Sequence, residues 1–168
     1  MLYFSHENVA MLDGGFEKWK SNGYPIEIKS NSLRHTEFRG KVNSKLLATA
    51  EEITRSLNYR TFVILDARSK AEFNGADARA VRRGHIPSAV NIDWENNIKN
   101  GTFKGIEQLS KIYSRIPKRA SIITYCQGGY RAANAFVALR MLGYKKVKMY
   151  VGSWGEWGNR PDLPYELN

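Results

Sequence analysis

Ser121-Ile122-Ile123-Thr124-Tyr125-Cys126-Gln127-Gly128-Gly129-Tyr130-Arg131 reads as an apolar strand, a glycine-bearing loop and the opening of a helix. Cys126 is the single cysteine of the 168-residue chain, and it stands where the strand ends. In α/β folds, ligands bind beyond the carboxyl ends of the strands. Glycines let successive backbone N–H groups turn inward around an anion. The helix that follows points its positive end at the same spot, and Arg131 adds a full charge. All three features favour the thiolate, the form of cysteine that acts as nucleophile. A lone cysteine after a strand is more often an inert buried thiol. The glycine pair and the arginine five positions on reverse that balance.

Outward from this segment the pattern alternates. Phe62-Val63-Ile64-Leu65 predicts a buried strand ending at Asp66, and Leu109, Ile112, Tyr113 and Ile116 fall at helical spacing up to Pro117. Arg131 to Leu142 predicts a helix closed by Gly143. Val147 to Val151 predicts a further strand, followed by Gly152 and a Trp-rich turn or short helix. Upstream, Thr49-Ala50-Glu51-Glu52 has the form of a capping box opening a helix toward Leu57. Strands separated by helices imply an α/β fold of three layers, a mostly parallel central sheet flanked by helices.

A content of 42% hydrophobic residues supports one full core, with little left for a second. No apolar run approaches the roughly 20 residues that cross a bilayer, and the N-terminus lacks the regions of a signal peptide. One cysteine excludes an internal disulfide, so a cytoplasmic location without membrane contact is expected. The net charge of +10 raises the question of nucleic acid. Its clusters, Arg79-Arg82-Arg83 and Lys145-Lys146-Lys148, lie beside no zinc spacing, helix-turn-helix signal or stacking platform. A solvated basic surface that steers an anionic substrate is expected instead, with no nucleic-acid partner.

The chain also repeats itself. Val9-Ala10-Met11-Leu12-Asp13-Gly14-Gly15-Phe16-Glu17-Lys18-Trp19 parallels Val147-Lys148-Met149-Tyr150-Val151-Gly152-Ser153-Trp154-Gly155-Glu156-Trp157 at a constant offset of 138. So long an offset points to duplicated domains rather than a solenoid. The expected organisation is residues 1–28 as the tail of a first, non-catalytic domain, 29–43 as a polar, basic linker, and 44–168 as a complete catalytic domain. Phe4, Phe16, Trp19 and Tyr24 are expected to pack on that domain, or to drive self-association with a second chain.

Loop length narrows the chemistry. Protein phosphatases and arsenate reductases use a Cys-x5-Arg loop that encircles a tetrahedral oxyanion. Here the spacing is Cys-x4-Arg, with Tyr125 rather than a histidine before the cysteine. A tighter loop suits one extra sulfur atom, a cysteine persulfide, and favours sulfur transfer over phosphoryl transfer.

Four stretches together resemble the tandem-domain rhodaneses, the thiosulfate sulfurtransferases. They are Leu65-Asp66-Ala67-Arg68 with Glu72-Phe73, Arg83-Gly84-His85-Ile86-Pro87-Ser88-Ala89-Val90-Asn91, the Cys126 loop, and Gly152-Ser153-Trp154-Gly155-Glu156-Trp157 with Pro161-Asp162-Leu163-Pro164. The resemblance implies a rhodanese-like fold and a ping-pong sulfur transfer through Cys126. It implies that Arg68 binds the anionic end of the substrate. Arg131 and the backbone of Gln127, Gly128, Gly129, Tyr130 and Arg131 hold the persulfide. Asp66 and Glu72 are read as supporting carboxylates, His85 as structural, and Trp154 and Trp157 as packing. The donor implied is thiosulfate and the acceptor a thiol or cyanide, with no metal or organic cofactor. Animal thiosulfate-specific relatives carry a cation two residues after the cysteine, where this chain has Gly128. Mercaptopyruvate sulfurtransferases have small uncharged residues there and no arginine at the loop's end. That leaves 3-mercaptopyruvate as the alternative donor, and a non-catalytic interaction module as the alternative of another class.

Overall fold

The computed structural model describes residues 1–59 and 61–167. Its centre is a four-stranded parallel sheet in the order β2-β1-β5-β6. Strand β1 (Val63–Asp66) pairs with β5 (Ile122–Tyr125) in the register Val63 to Ile122 through Asp66 to Tyr125. Strand β2 (Val90–Asn91) lies outside β1, and β6 (Val147–Met149) outside β5. All four run the same way, so every crossover carries other structure, as parallel pairing requires.

The alternation of strand side chains sorts the core into two layers. Leu65, Ile122 and Val147 face α4 (Ile106–Ile112) and α5 (Tyr130–Met141), where Leu109, Ala135 and Leu139 are fully buried. Ile64, Ile123 and Tyr125 face α2 (Ala50–Tyr59) and α6 (Ser153–Trp157), where Ile53 and Trp157 are fully buried. Helices on both faces give the three layers read from the sequence. Among the described residues no helix is long and apolar enough to cross a membrane.

Two boundaries and one helix cap differ from the sequence-based reading. Helix α4 ends at Ile112 rather than Ile116: Tyr113 caps it, and Ile116 N–H bonds back to Tyr113 O in a turn (3.0 Å). Pro117 disfavours helical backbone at the residue before it, so both apolar side chains reach the core from a turn. The capping box of α2 is only half made. Thr49 Oγ1 accepts from Glu52 N–H (3.2 Å), but the Glu52 carboxylate takes Lys148 Nζ (2.6 Å) instead of reaching back. Strand β6 stops at Met149, two residues before Val151, since the Tyr150 carbonyl accepts from Ser153 Oγ (2.8 Å).

Further elements complete the frame. Helix α3 (Lys70–Phe73) follows β1, with Ser69 and Glu72 forming a full capping box. A hairpin of β3 (Ile98–Lys99) and β4 (Thr102–Phe103) turns at Asn100-Gly101, both at positive φ, the backbone that a two-residue turn of this kind demands. Near the N-terminus, α1 (Gly15–Ser21) buries none of its residues, and residues 24–43 form no helix or strand. Asp13 Oδ1 accepts from Phe103 N–H (3.0 Å), which ties this segment to the sheet domain, while Tyr3 O accepts from Asn43 N–H (2.7 Å) within the segment. The aromatic contacts of this segment lie within it rather than, as expected, against the sheet domain. Trp19 is half-buried against Tyr24, while Phe4, Phe16 and Tyr24 stay 44–58% exposed.

Candidate active site

Cys126 is the first residue beyond β5 and is 1% exposed. The loop then turns into α5 through Gly129, whose φ of 99° would strain any side chain. That turn brings the Gly129 N–H to 3.1 Å from Cys126 Sγ. The rest of the loop is held by α6. Trp154 N–H donates to Cys126 O and Gly155 N–H to Gln127 O, each at 2.8 Å, so two loop carbonyls are engaged away from the sulfur. A Cβ on Gly155 would lie 2.8 Å from Gln127 O, which makes glycine the condition for this approach. Ser153, fully buried at φ 53°, accepts from Cys126 N–H (3.2 Å) and donates to Tyr150 O. Gly128 sits on the open side, where an added Cβ would meet nothing within 4 Å.

The cations around the loop are organised by Glu72. Its carboxylate accepts from both Arg131 Nη groups (2.5 and 2.9 Å) and from Ser69 N–H and Oγ (3.2 and 3.1 Å). Burial alone would push the Glu72 carboxyl up, but the Arg131 guanidinium and the Ser69 amide outweigh it and hold the group at about 2. Arg131 is raised in return, first by its hydrogen bonds to Glu72 and then, against its partial burial, by that carboxylate's charge. Arg79 Nε lies 3.7 Å from the same carboxylate with 57% of its side chain exposed. Gln127 Nε2 donates to Arg79 O (2.9 Å), which fastens this segment to the cysteine loop. Arg79 is thus a cation at the mouth that sequence reasoning missed. Its cluster with Arg82 and Arg83 was the available signal, but proximity in sequence did not separate their fates. Arg82 donates to the carbonyls of Trp157, Gly158 and Leu163 and serves as a structural clamp.

Arg68 requires a correction. Expected to bind a substrate anion, it is 1% exposed, and its Nε and Nη2 are engaged by the Asp66 carboxylate (2.6–3.0 Å) and the Gly84 carbonyl (2.8 Å). Its guanidinium lies 4.7 Å over the Trp154 ring. A buried guanidinium needs a counter-charge, and Asp66, two residues earlier, lies within its reach. Arg68 pins the end of β1 to the Gly84 turn. Asp66 and Glu72 each face an arginine, Arg68 and Arg131 respectively. His85 stacks on Phe73 at 3.7 Å, with Nδ1 2.9 Å from Phe73 O, and Trp154 and Trp157 are buried. The structure thus sets the Gly129 N–H on the Cys126 sulfur, links Arg131, Glu72, Arg79 and Gln127 into one network along the loop, and leaves Arg68 buried apart from it.

Comparison with known proteins agrees with this architecture. The family model of the rhodanese-like domain matches residues 49–160. A protein of Mycobacterium leprae named as a candidate thiosulfate sulfurtransferase is 34% identical over 177 residues, covering 98% of this chain and 63% of the relative. The 3-mercaptopyruvate sulfurtransferase of Escherichia coli K12 is 33% identical over 168 residues, covering 97% of this chain and 60% of the relative. The chain thus spans about three-fifths of these relatives. The crystal structure of SseA, a 3-mercaptopyruvate sulfurtransferase of Escherichia coli, superposes at a TM-score of 0.81 with 30% identity, covering 91% of this chain and 59% of that one. Wild-type EanB shares the fold at a TM-score of 0.86 and 21% identity, over 99% of this chain and 42% of that one. The chain belongs to the rhodanese-like domain family.

Proposed function

We propose that this chain transfers a sulfane sulfur through a persulfide on Cys126. The observation that carries the reading is the sulfur at the end of β5, with the Gly129 N–H 3.1 Å away and the loop carbonyls drawn off by α6. In the first half-reaction the Cys126 thiolate attacks the outer sulfur of thiosulfate. An Sγ–S bond forms, the S–S bond of thiosulfate breaks, and its electron pair leaves with sulfite. The persulfide anion then rests among the amides of Gln127, Gly128, Gly129, Tyr130 and Arg131. In the second half-reaction a thiolate or cyanide takes the outer sulfur and Cys126 recovers its electron pair. Arg79, exposed at the mouth, receives the anionic end of the donor, while Arg131 and Glu72 fix the loop and Arg68 supports its floor. The scheme needs no metal or organic cofactor. 3-Mercaptopyruvate is the second reading of the donor, favoured by the Escherichia coli relative's name and by the open side at Gly128. Residues 1–28 fit the tail of a preceding rhodanese-like unit, with residues 29–43 as the linker.

Mass spectrometry of the full chain after thiosulfate treatment tests this. The expected result is a gain of one sulfur atom in the native chain and none in Cys126→Ala. Arg79→Ala should need about tenfold more thiosulfate for the same loading, the scale of one lost charge-assisted contact. No gain from thiosulfate but a gain from 3-mercaptopyruvate would select the second donor, and no gain from either would make the domain a non-catalytic interaction module.

A further inference from the structure

Helix α5 is apolar on two sides. Ala132, Ala135, Ala138 and Leu139 face the sheet, fully buried. The opposite side carries Tyr130, Ala133 and Val137 at i, i+3 and i+7, with Asn134 at i+4 accepting from Asn97 Nδ2 (2.9 Å), so an apolar stripe is left for a second contact. That stripe forms the floor of an open groove of about 490 Å³. Trp94 and Phe103 form one wall and Met11 of the N-terminal segment the other. The bond from Phe103 N–H to Asp13 Oδ1 (3.0 Å) ties the two walls together. Tyr130, 91% exposed, stands at the end nearest the loop, one residue beyond Gly129. Arg131 also borders this groove, and Gly129, which precedes Tyr130, holds its N–H 3.1 Å from Cys126 Sγ, so one end of the groove lies at the cysteine loop.

We propose that this groove is the acceptor subsite, and that it selects a thiol carried on an aryl or alkyl body. The inference rests on the sulfur-transfer reading and adds what the acceptor is. Apart from Asn134 and Arg131, the walls offer apolar and aromatic surface. A hydrophilic thiol such as glutathione would bring carboxylates and amides that find almost no partner there. An aryl body gains contact with Tyr130, Trp94 and Phe103 while its thiolate points past Arg131 toward the persulfide. The thiolate attacks the outer sulfur of the Cys126 persulfide. The new S–S bond forms on the acceptor, the Sγ–S bond breaks, and its electron pair returns to Cys126. Cyanide, with no body to place, makes no use of the groove.

The test follows loss of the persulfide from the loaded full chain, comparing 4-mercaptophenylacetate, glutathione and cyanide at matched concentrations of the reactive anion. The aryl thiol should react at least about tenfold faster than glutathione relative to their rates with a free low-molecular-weight persulfide. That factor corresponds to roughly 55 Å² of apolar surface removed from water. Val137→Asn, which puts an amide on the groove floor, should erase this preference and leave thiosulfate loading and cyanide turnover intact. Equal rates for the two thiols, or a Val137→Asn defect shared by cyanide, would overturn the proposal. Binding is read separately with 4-(methylthio)phenylacetate, which cannot accept sulfur: it should quench tryptophan fluorescence saturably, and about tenfold more weakly in Val137→Asn. Absence of such binding overturns the acceptor subsite even if the persulfide forms. Saturable binding in a chain that never loads would instead overturn the sulfur-transfer reading and keep the groove as a site for apolar anions.

Discussion

Glu72 completes the capping box of α3 and is the shared counter-charge of the mouth, so one carboxylate links a helix start to the cysteine loop. Its folded-state value of about 2, against 4.5 for the free group, makes it a source of acid sensitivity. Because the folded value is depressed, its contribution is present above pH 4.5 and is lost as pH falls toward 2. Its size is about 3 kcal/mol. Glu72→Gln should therefore be less stable than the native chain by about that amount at pH 7, and the gap should narrow below pH 4.5 and close at about pH 2. Urea unfolding at a series of pH values measures this, and a gap independent of pH would contradict it. At this scale Cys126 was legible because its meaning is local: strand, glycines and helix stand next to it in sequence. The arginines were not, since a guanidinium's role depends on which carboxylate or carbonyl burial brings to it. Arg68 meets Asp66 in the interior, and Arg79 keeps an exposed face.

At the scale of elements, the apolar runs placed β1, β5 and α5 to within one residue, because buried strands and helices announce themselves by periodicity. The end of α4 was less legible, since Tyr113 and Ile116 are buried from a turn that mimics helical spacing. The β3–β4 hairpin escaped notice although Asn100-Gly101 signals it, because two-residue strands carry no periodicity of their own. The support of the loop by α6 was beyond sequence reasoning, being a contact between segments about 28 residues apart whose only trace is Gly155. Gly155→Ala should lower stability by about 1–3 kcal/mol, the range of an overpacked site, and slow persulfide formation by pushing α6 off Gln127 O. Gly128→Ala, with open space around its Cβ, should change stability by less than about 0.5 kcal/mol. Denaturant midpoints for the pair provide the measurement, and equal losses would contradict the role given to α6.

Across the whole molecule, order is uneven. The sheet domain is packed on both faces, whereas Ile28 and Leu33 in the connecting segment are 97% and 87% exposed. Limited proteolysis should cut first within residues 24–43 and leave the sheet domain intact, as read by the masses of early fragments. First cuts in α5 or α6 would contradict this picture. The repeat read from the sequence has structural counterparts. Gly15 and Ser153, 138 positions apart, both take left-handed backbone, at φ 59° and 53°, and each opens a short helix. Trp19 Nε1 donates to Pro25 O (2.8 Å) much as Trp157 Nε1 donates to Pro164 O (2.6 Å). One copy is seated against β5 and the other has no such neighbour. The left-handed turn, the helix and the indole-to-proline bond recur without a seat, so they are written locally. The strand does not recur, since Val9–Met11 forms no strand where Val147–Met149 does. The chain thus carries its own control experiment, a single motif with and without its socket, and the difference between the copies isolates what a neighbouring strand contributes.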